Sequence, residues 1–246
     1  MFEAKIFAQR RNALRQLLNG GVVVLLGNLD SPMNYHDNTY PFIQDTSFRY
    51  FFGINQPGWI GVMDLDNGKD YLFVEPPNLH DIVWTGPLAS PLEQAGRVGV
   101  YHVDDIKGLV SLLQKAAGAK REIHYLQAYR GDNVLLLEKW LQRSTEDVRA
   151  SFSVPLTRAI VQLRAIKSTE EIQEMESALS VTAQMHLAAM RYTKPGVYER
   201  EVVGRMEGIM REQDLQLAYP VIFSHRGEVL HNHDHSHCMQ AGDWIV

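Results

Sequence analysis

Asn19-Gly20-Gly21-Val22-Val23-Val24-Leu25-Leu26 sets a helix stop directly against an uninterrupted apolar run. The run is β-branched for three residues and carries no polar alternation, so the strand it forms is covered on both faces, as in a sheet with helices packed on it. Upstream, residues 4–18 repeat apolar side chains at Phe7, Leu14, Leu17 and Leu18. They predict a helix that Asn19-Gly20-Gly21 closes, glycine being free to take the left-handed cap. Downstream, residues 48–52, 59–65 and 71–74 read as further strands, the last two joined by a hairpin turn at Asp66-Asn67-Gly68. Helices are expected at residues 105–117 and 132–143, with a short strand at 122–125 between them. Alternation of this kind predicts a mixed α/β domain.

Around Ser151-Phe152-Ser153-Val154-Pro155 the pattern changes to helices at close intervals, which places the expected domain boundary between residues 153 and 154. Ser168-Thr169-Glu170-Glu171 is a capping box: the serine hydroxyl accepts from the third helical N–H while Glu171 reaches back to the serine N–H. The helix it opens carries Ile172, Met175, Leu179, Thr182 and His186 on one stripe, read as its packed face, with His186 a packed histidine rather than a ligand. Lys194-Pro195-Gly196 ends this helix, and residues 199–212 form the next.

Half of the ten histidines lie in His225-Arg226-Gly227-Glu228-Val229-Leu230-His231-Asn232-His233-Asp234-His235-Ser236-His237. Imidazole titrates near neutral pH and is the commonest nitrogen donor to metals. His231, His233, His235 and His237 recur at every second position, so an extended strand would put all four on one face. Side chains two apart seldom converge on one small ion without ligands from elsewhere. The reading taken is a polar loop or hairpin near a site, with one of these histidines functional.

The chain has 246 residues, enough for two domains of ordinary size. With 45% hydrophobic and 22% charged residues, disorder is excluded. A net charge of -5 and the lack of a long basic run offer no attraction to nucleic acid or to an anionic membrane. Charges at Glu3 and Lys5 interrupt any signal-peptide core, and no stretch reaches membrane-spanning length, so the expected location is the cytoplasm. One cysteine, Cys238, excludes an internal disulfide and fits a reducing compartment. With no second cysteine beside it, Cys238 is read as inert rather than as a nucleophile.

Three segments carry a resemblance. Tyr40-Pro41-Phe42-Ile43-Gln44-Asp45-Thr46-Ser47-Phe48-Arg49-Tyr50-Phe51-Phe52-Gly53, Leu163-Arg164-Ala165-Ile166-Lys167-Ser168-Thr169-Glu170-Glu171-Ile172, and Val229-Leu230-His231 with Ala241-Gly242-Asp243-Trp244-Ile245-Val246 resemble aminopeptidase P. This is the Xaa-Pro aminopeptidase branch of the creatinase/prolidase pita-bread metallopeptidases. The segments stand in family order over nearly the whole chain. The resemblance implies a creatinase/prolidase-type N-terminal mixed-sheet domain over residues 1–153, then the N-terminal part of a pita-bread α+β catalytic domain over residues 154–246. It implies peptide substrates with proline at the second position, a homo-oligomer, and a dinuclear centre of hard oxygen ligands suited to Mn2+. In the family the first aspartate ligand follows a strand that begins like Gly242-Asp243-Trp244-Ile245-Val246. Every metal ligand is therefore expected beyond Val246, and none within the chain, which is expected to be an inactive fragment of a longer enzyme.

Within the chain the resemblance assigns two residues. His231 matches a histidine that borders the substrate pocket and hydrogen-bonds the reacting groups without binding metal, a catalytic and substrate-binding role. Trp84 matches a tryptophan that in oligomeric members covers a neighbouring subunit's site. Residues 221–228 are shorter than the family's glycine-rich segment, so no family role is carried onto His225, His233, His235 or His237. Arg164 and Lys167 match a motif joining the two domains, with a structural charge pair as its role. Two alternatives remain: a prolidase or metal-free creatinase-type hydrolase on the same fold, or a non-catalytic module that binds peptides or proteins.

Overall fold

The computed structural model describes residues 2–87 and 89–246. The chain divides into two compact units, one ending at Ile166 and one running from Lys167 to Val246.

In the first unit, β1 (Val22–Leu26) pairs antiparallel with β2 (Ile60–Asp64) and parallel with β5 (Ile123–Tyr125). β2 pairs antiparallel with β3 (Lys69–Phe73), which pairs parallel with β4 (His102–Asp104), giving the order β4-β3-β2-β1-β5. Val23 and Leu25 enter a core with Phe48, Phe51, Phe52 and Leu156, while Val22 and Val24 enter another with Leu109, Leu113 and Trp140. Both faces of β1 are thus covered, as its unbroken apolar run predicts, and each such side chain contributes about 1.5–3 kcal/mol by leaving water. Helix α1 (Ala4–Gln16) supplies Phe7 and Leu14 to the first core; α5 (Ile106–Gly118) and α6 (Gly131–Leu141) cover the other.

The expected strand at residues 48–52 is instead helix α2 (Thr46–Phe52). Its caps override the β-like density of aromatics. The Asp45 side chain accepts from the N–H groups of Ser47 (2.9 Å) and Phe48 (2.8 Å), and Gly53 closes the helix at φ 67°. Phe48, Phe51 and Phe52 then share a buried face at helical spacing. A β-carbon at Gly53 would collide with the Phe7 ring, so the cap position needs glycine for both φ and space.

Burial holds the Asp45 carboxyl above its usual value, against backbone N–H bonds from Phe48 and Ser47. A folded value above the unfolded one means that this group's stabilisation is full below the ordinary carboxylate range. It is lost as pH rises through the raised value. Asp45→Ala is expected to cost about 1 kcal/mol through loss of the cap. Asp45→Asn keeps the cap without the buried charge, so its stability relative to the parent should improve as pH rises above the carboxylate range. Urea denaturation at acidic and neutral pH checks both; an Asn variant that weakens with rising pH refutes the sign.

Helix α8 (Val154–Ala165), which the sequence reading placed in the second domain, packs with the first. Its Leu156, Ala159 and Ile160 join the core of Phe7, Phe48 and Trp59. The compact division accordingly lies at 166/167 rather than 153/154. Arg164, at the end of α8, donates to Thr46 Oγ1 (3.3 Å) within this unit.

In the second unit, the capping box at Ser168 and Glu171 opens α9 (Thr169–Tyr192). Its Val181, Met185 and Ala189 pack with Val202, Val203, Met206 and Met210 of α10 (Glu199–Glu212). The stripe expected to be packed is exposed: Ile172, Met175 and Leu179 lie 46–60% open, and His186 is exposed too. A long helix offers more than one stripe of period three to four. α10 settles on the one where alanines at 188 and 189 permit close approach.

Candidate functional site

The site grows from the start of α10. The first N–H groups of a helix have no partner inside it. Here Glu199 N–H donates to His237 O (3.0 Å) and Arg200 N–H to His235 O (3.1 Å), so the histidine-rich segment seals the helix terminus. The pairing continues outward, with Met239 N–H donating to Val197 O (3.0 Å) and Gly196 N–H to Met239 O (2.8 Å).

Glu199 is 1% exposed. Its Oε1 accepts from the His225 backbone N–H (2.7 Å) and lies 3.0 Å from His225 Nδ1. The His225 ring stacks on that of His237 at 3.7 Å between centroids and 26° between planes. His237 Nε2 in turn lies 2.8 Å from Asp243 Oδ2, which also accepts from Gln240 N–H (2.7 Å). The His237 contact, with that N–H, holds the Asp243 carboxyl below its usual value. The result is a row of carboxylate, imidazole, imidazole, carboxylate.

The histidine-rich segment is a polar loop, as read from the sequence, and its four alternate histidines do not share a strand face. No strand forms at residues 231–237, because short polar side chains capture the backbone in turns. Asn232 Oδ1 accepts from Asp234 N–H (2.9 Å) and Asp234 Oδ1 from Ser236 N–H (3.0 Å). The rings diverge: His235 Nδ1 contacts Phe223 O (3.1 Å), His237 turns to Asp243, and His231 and His233 are exposed. Among the described residues no group of three His, Cys, Asp or Glu side chains is arranged to hold a metal ion.

His231 sits on an exposed turn and has no side-chain hydrogen bond or ion pair among the described residues. The turn is tied from below by Ser224 Oγ, which accepts from Arg226 N–H (3.0 Å) and Asn232 Nδ2 (2.8 Å). Residues 242–246, expected as a strand, make one antiparallel pairing: Ser224 and Val246 exchange both backbone hydrogen bonds at 3.0 Å. Trp84 belongs to the first unit, on the short helix α3 (Leu79–Thr85), and is 76% exposed beside exposed Leu79 and Val83.

Sequence reasoning missed Glu199. An acid at the first position of a helix is ordinarily a solvated partner of the helix dipole, and only the packing of residues 225 and 237 over it makes it buried. Also unforeseen is an open cleft of about 320 Å³ at the carboxyl ends of β1 and β5, between Asn28, Ser31, Tyr129 and Arg130. Its polar groups largely satisfy one another: Asn28 Nδ2 donates to Tyr129 Oη (3.1 Å) and Arg130 Nη2 to Ser31 Oγ (2.7 Å). Among the described residues no helix is long and apolar enough to cross a membrane.

Comparison with known proteins places this geometry. Residues 7–124 match the aminopeptidase P N-terminal domain, and residues 173–246 match metallopeptidase family M24. The chain is 23% identical to the Xaa-Pro aminopeptidase of Escherichia coli K12 over 98% of its own length and 57% of the relative's. It is 26% identical to the human Xaa-Pro dipeptidase over 82% of its length and 42% of the relative's. The chain spans about half the length of the curated relatives it matches. In fold it superimposes on a substrate complex of an E. coli aminopeptidase P variant with a TM-score of 0.84, at 21% identity, covering 99% of this chain and 58% of that one. Pseudomonas aeruginosa aminopeptidase PepP gives a TM-score of 0.82 at 22% identity, covering 99% and 57%. The fold is therefore an aminopeptidase P N-terminal domain followed by the N-terminal part of a pita-bread catalytic domain. With both domains matched in order, the chain belongs to the aminopeptidase P / M24 metallopeptidase family.

Proposed function

We propose that the protein is an Xaa-Pro aminopeptidase that removes the N-terminal residue before proline from peptides. The observation that carries this reading is the ordered match of both domains, with curated relatives that are Xaa-Pro peptidases. M24 peptidases use divalent metal ions, and we assign manganese to this one. Such ions, when bound, supply an activated water and polarise the peptide carbonyl. This chain's own contribution is to binding and orientation. His231, exposed on its turn, would hydrogen-bond the peptide at the reacting bond and hold a proton there. Trp84, an exposed aromatic on a helix with an apolar outer face, would cover the substrate pocket of a neighbouring subunit in a cytoplasmic homo-oligomer.

The test is cleavage by the purified protein with its native termini, supplied with manganese. An Xaa-Pro tripeptide should lose its first residue. Cleavage confined to Xaa-Pro dipeptides would favour a prolidase, which the similarity to the human dipeptidase makes the second reading. Metal-independent creatine hydrolysis would favour the creatinase type, and peptide binding without hydrolysis a non-catalytic module.

A further inference from the structure

We propose that Glu199 is a positioning residue that closes the loop between His225 and His237 and so fixes where His231 is presented. The inference rests on reading His231 as the group that meets the substrate. One side chain and its own backbone reach both ends of this loop. The Glu199 carboxylate takes the His225 N–H (2.7 Å) and ring nitrogen (3.0 Å), and the Glu199 N–H donates to His237 O (3.0 Å). The stacked rings join the same two ends at 3.7 Å, and Asp243 steadies the outer ring at 2.8 Å. A surface loop whose ends meet in this way is compact, and its shape depends on its base.

Above that base the loop is held by solvent-exposed polar ties rather than by packing. Glu228, Val229, Leu230, His231, His233 and Asp234 are all exposed, so no buried apolar contact anchors the tip. Its ties are polar: Ser224 to Arg226 and Asn232, the Arg226–Glu228 ion pair, Val229 N–H to Arg226 O (2.9 Å) and Asn232 N–H to Val229 O (3.2 Å), the turns at Asn232 and Asp234, and His235 Nδ1 at Phe223 O (3.1 Å). Segments with few buried contacts and solvent-exposed hydrogen bonds open at little cost unless they are shut at the base. The base is shut by a buried carboxylate, whose charge-assisted bonds are roughly twice as strong as neutral ones. His231 lies midway along the loop, so loosening at Glu199 displaces it directly.

Glu199→Gln keeps the shape and removes the charge. In the protein with its native termini, it should raise amide hydrogen exchange at residues 225–237 about tenfold or more, while α9 and the body of α10 stay protected. For the Xaa-Pro tripeptide, kcat should fall about tenfold or more with KM and manganese content little changed, because misplacement by about 1 Å at a reacting group is enough for that. His225→Ala should act alike, and the double variant should add little to either single one. Glu199→Asp, which restores the charge on a shorter stem, should recover part of the loss. Unchanged exchange at residues 225–237 overturns the proposal, as does general loosening of α10, which would make the role structural. An opened loop with unchanged kcat overturns the positioning role. If the unmodified protein cleaves no Xaa-Pro peptide, the peptidase reading and the positioning role fall together. Loop closure is then decided by the exchange data.

Discussion

Asp70→Ala is expected to cost about 3–5 kcal/mol of stability, the loss typical of leaving a buried charge without its partner. The Arg11 side chain on α1 is fully buried, and its Nε meets Asp70 Oδ2 on β3 at 2.6 Å. Its other donors go to the carbonyls of Phe51 (2.8 Å), Val98 (3.1 Å) and Gly99 (3.2 Å), which orient the guanidinium and bring no negative charge. Burial pushes the Arg11 guanidinium below its usual value, and Asp70 is what opposes that shift. Asp70 also pairs with Arg15, so its loss strands two cations on one helix. Arg97→Ala is the control, because its partner Glu93 and Arg97 itself are both more than half exposed. That pair should be worth less than about 1 kcal/mol. Urea denaturation followed by circular dichroism compares the two variants, and equal shifts would sink the argument.

His231→Ala is expected to lower kcat/KM for Xaa-Pro peptides about a hundredfold or more, equivalent to about 3 kcal/mol of transition-state stabilisation. His231 stands on an exposed turn with its ring uncommitted among the described residues, so its removal breaks no internal contact and stability should hardly change. Metal content should also be unchanged, since the proposed role is contact with substrate. Metal analysis beside cleavage kinetics discriminates three outcomes. Loss of metal would make His231 a ligand, and unchanged activity would return it to the solvated surface.

Elements that carry their own boundary signals were legible in the sequence. β1 is bounded by glycines and has no polar residue, α9 opens on a capping box, and α10 follows Pro195-Gly196. α2 was missed because Phe48, Tyr50, Phe51 and Phe52 have strand-forming character, while the cap at Asp45 and the stop at Gly53 lie outside the aromatic run. The buried face of α9 was misplaced because periodicity names a set of equivalent stripes and only the partner helix selects one. In the site, the histidine-rich segment was visible as composition. The bond from Glu199 to His225 was not, since it spans 26 residues and depends on a burial that no local pattern encodes.

The sheet ends in two strands of three residues each, β4 and β5. Outside β5, the Tyr125 carbonyl already accepts from Ser153 N–H (2.8 Å), and the His124 ring is held by Ser153 Oγ (2.8 Å). β4 is so short that it offers a newcomer hardly one repeat of the ladder. A strand from another molecule therefore finds at most a three-residue template at either margin, and the apolar strands β1 and β2, which would be amyloid-competent if laid bare, are shielded in the interior of the ladder. Polymerisation through this sheet requires prior unfolding of the first unit, so its resistance to fibril growth should track its thermodynamic stability.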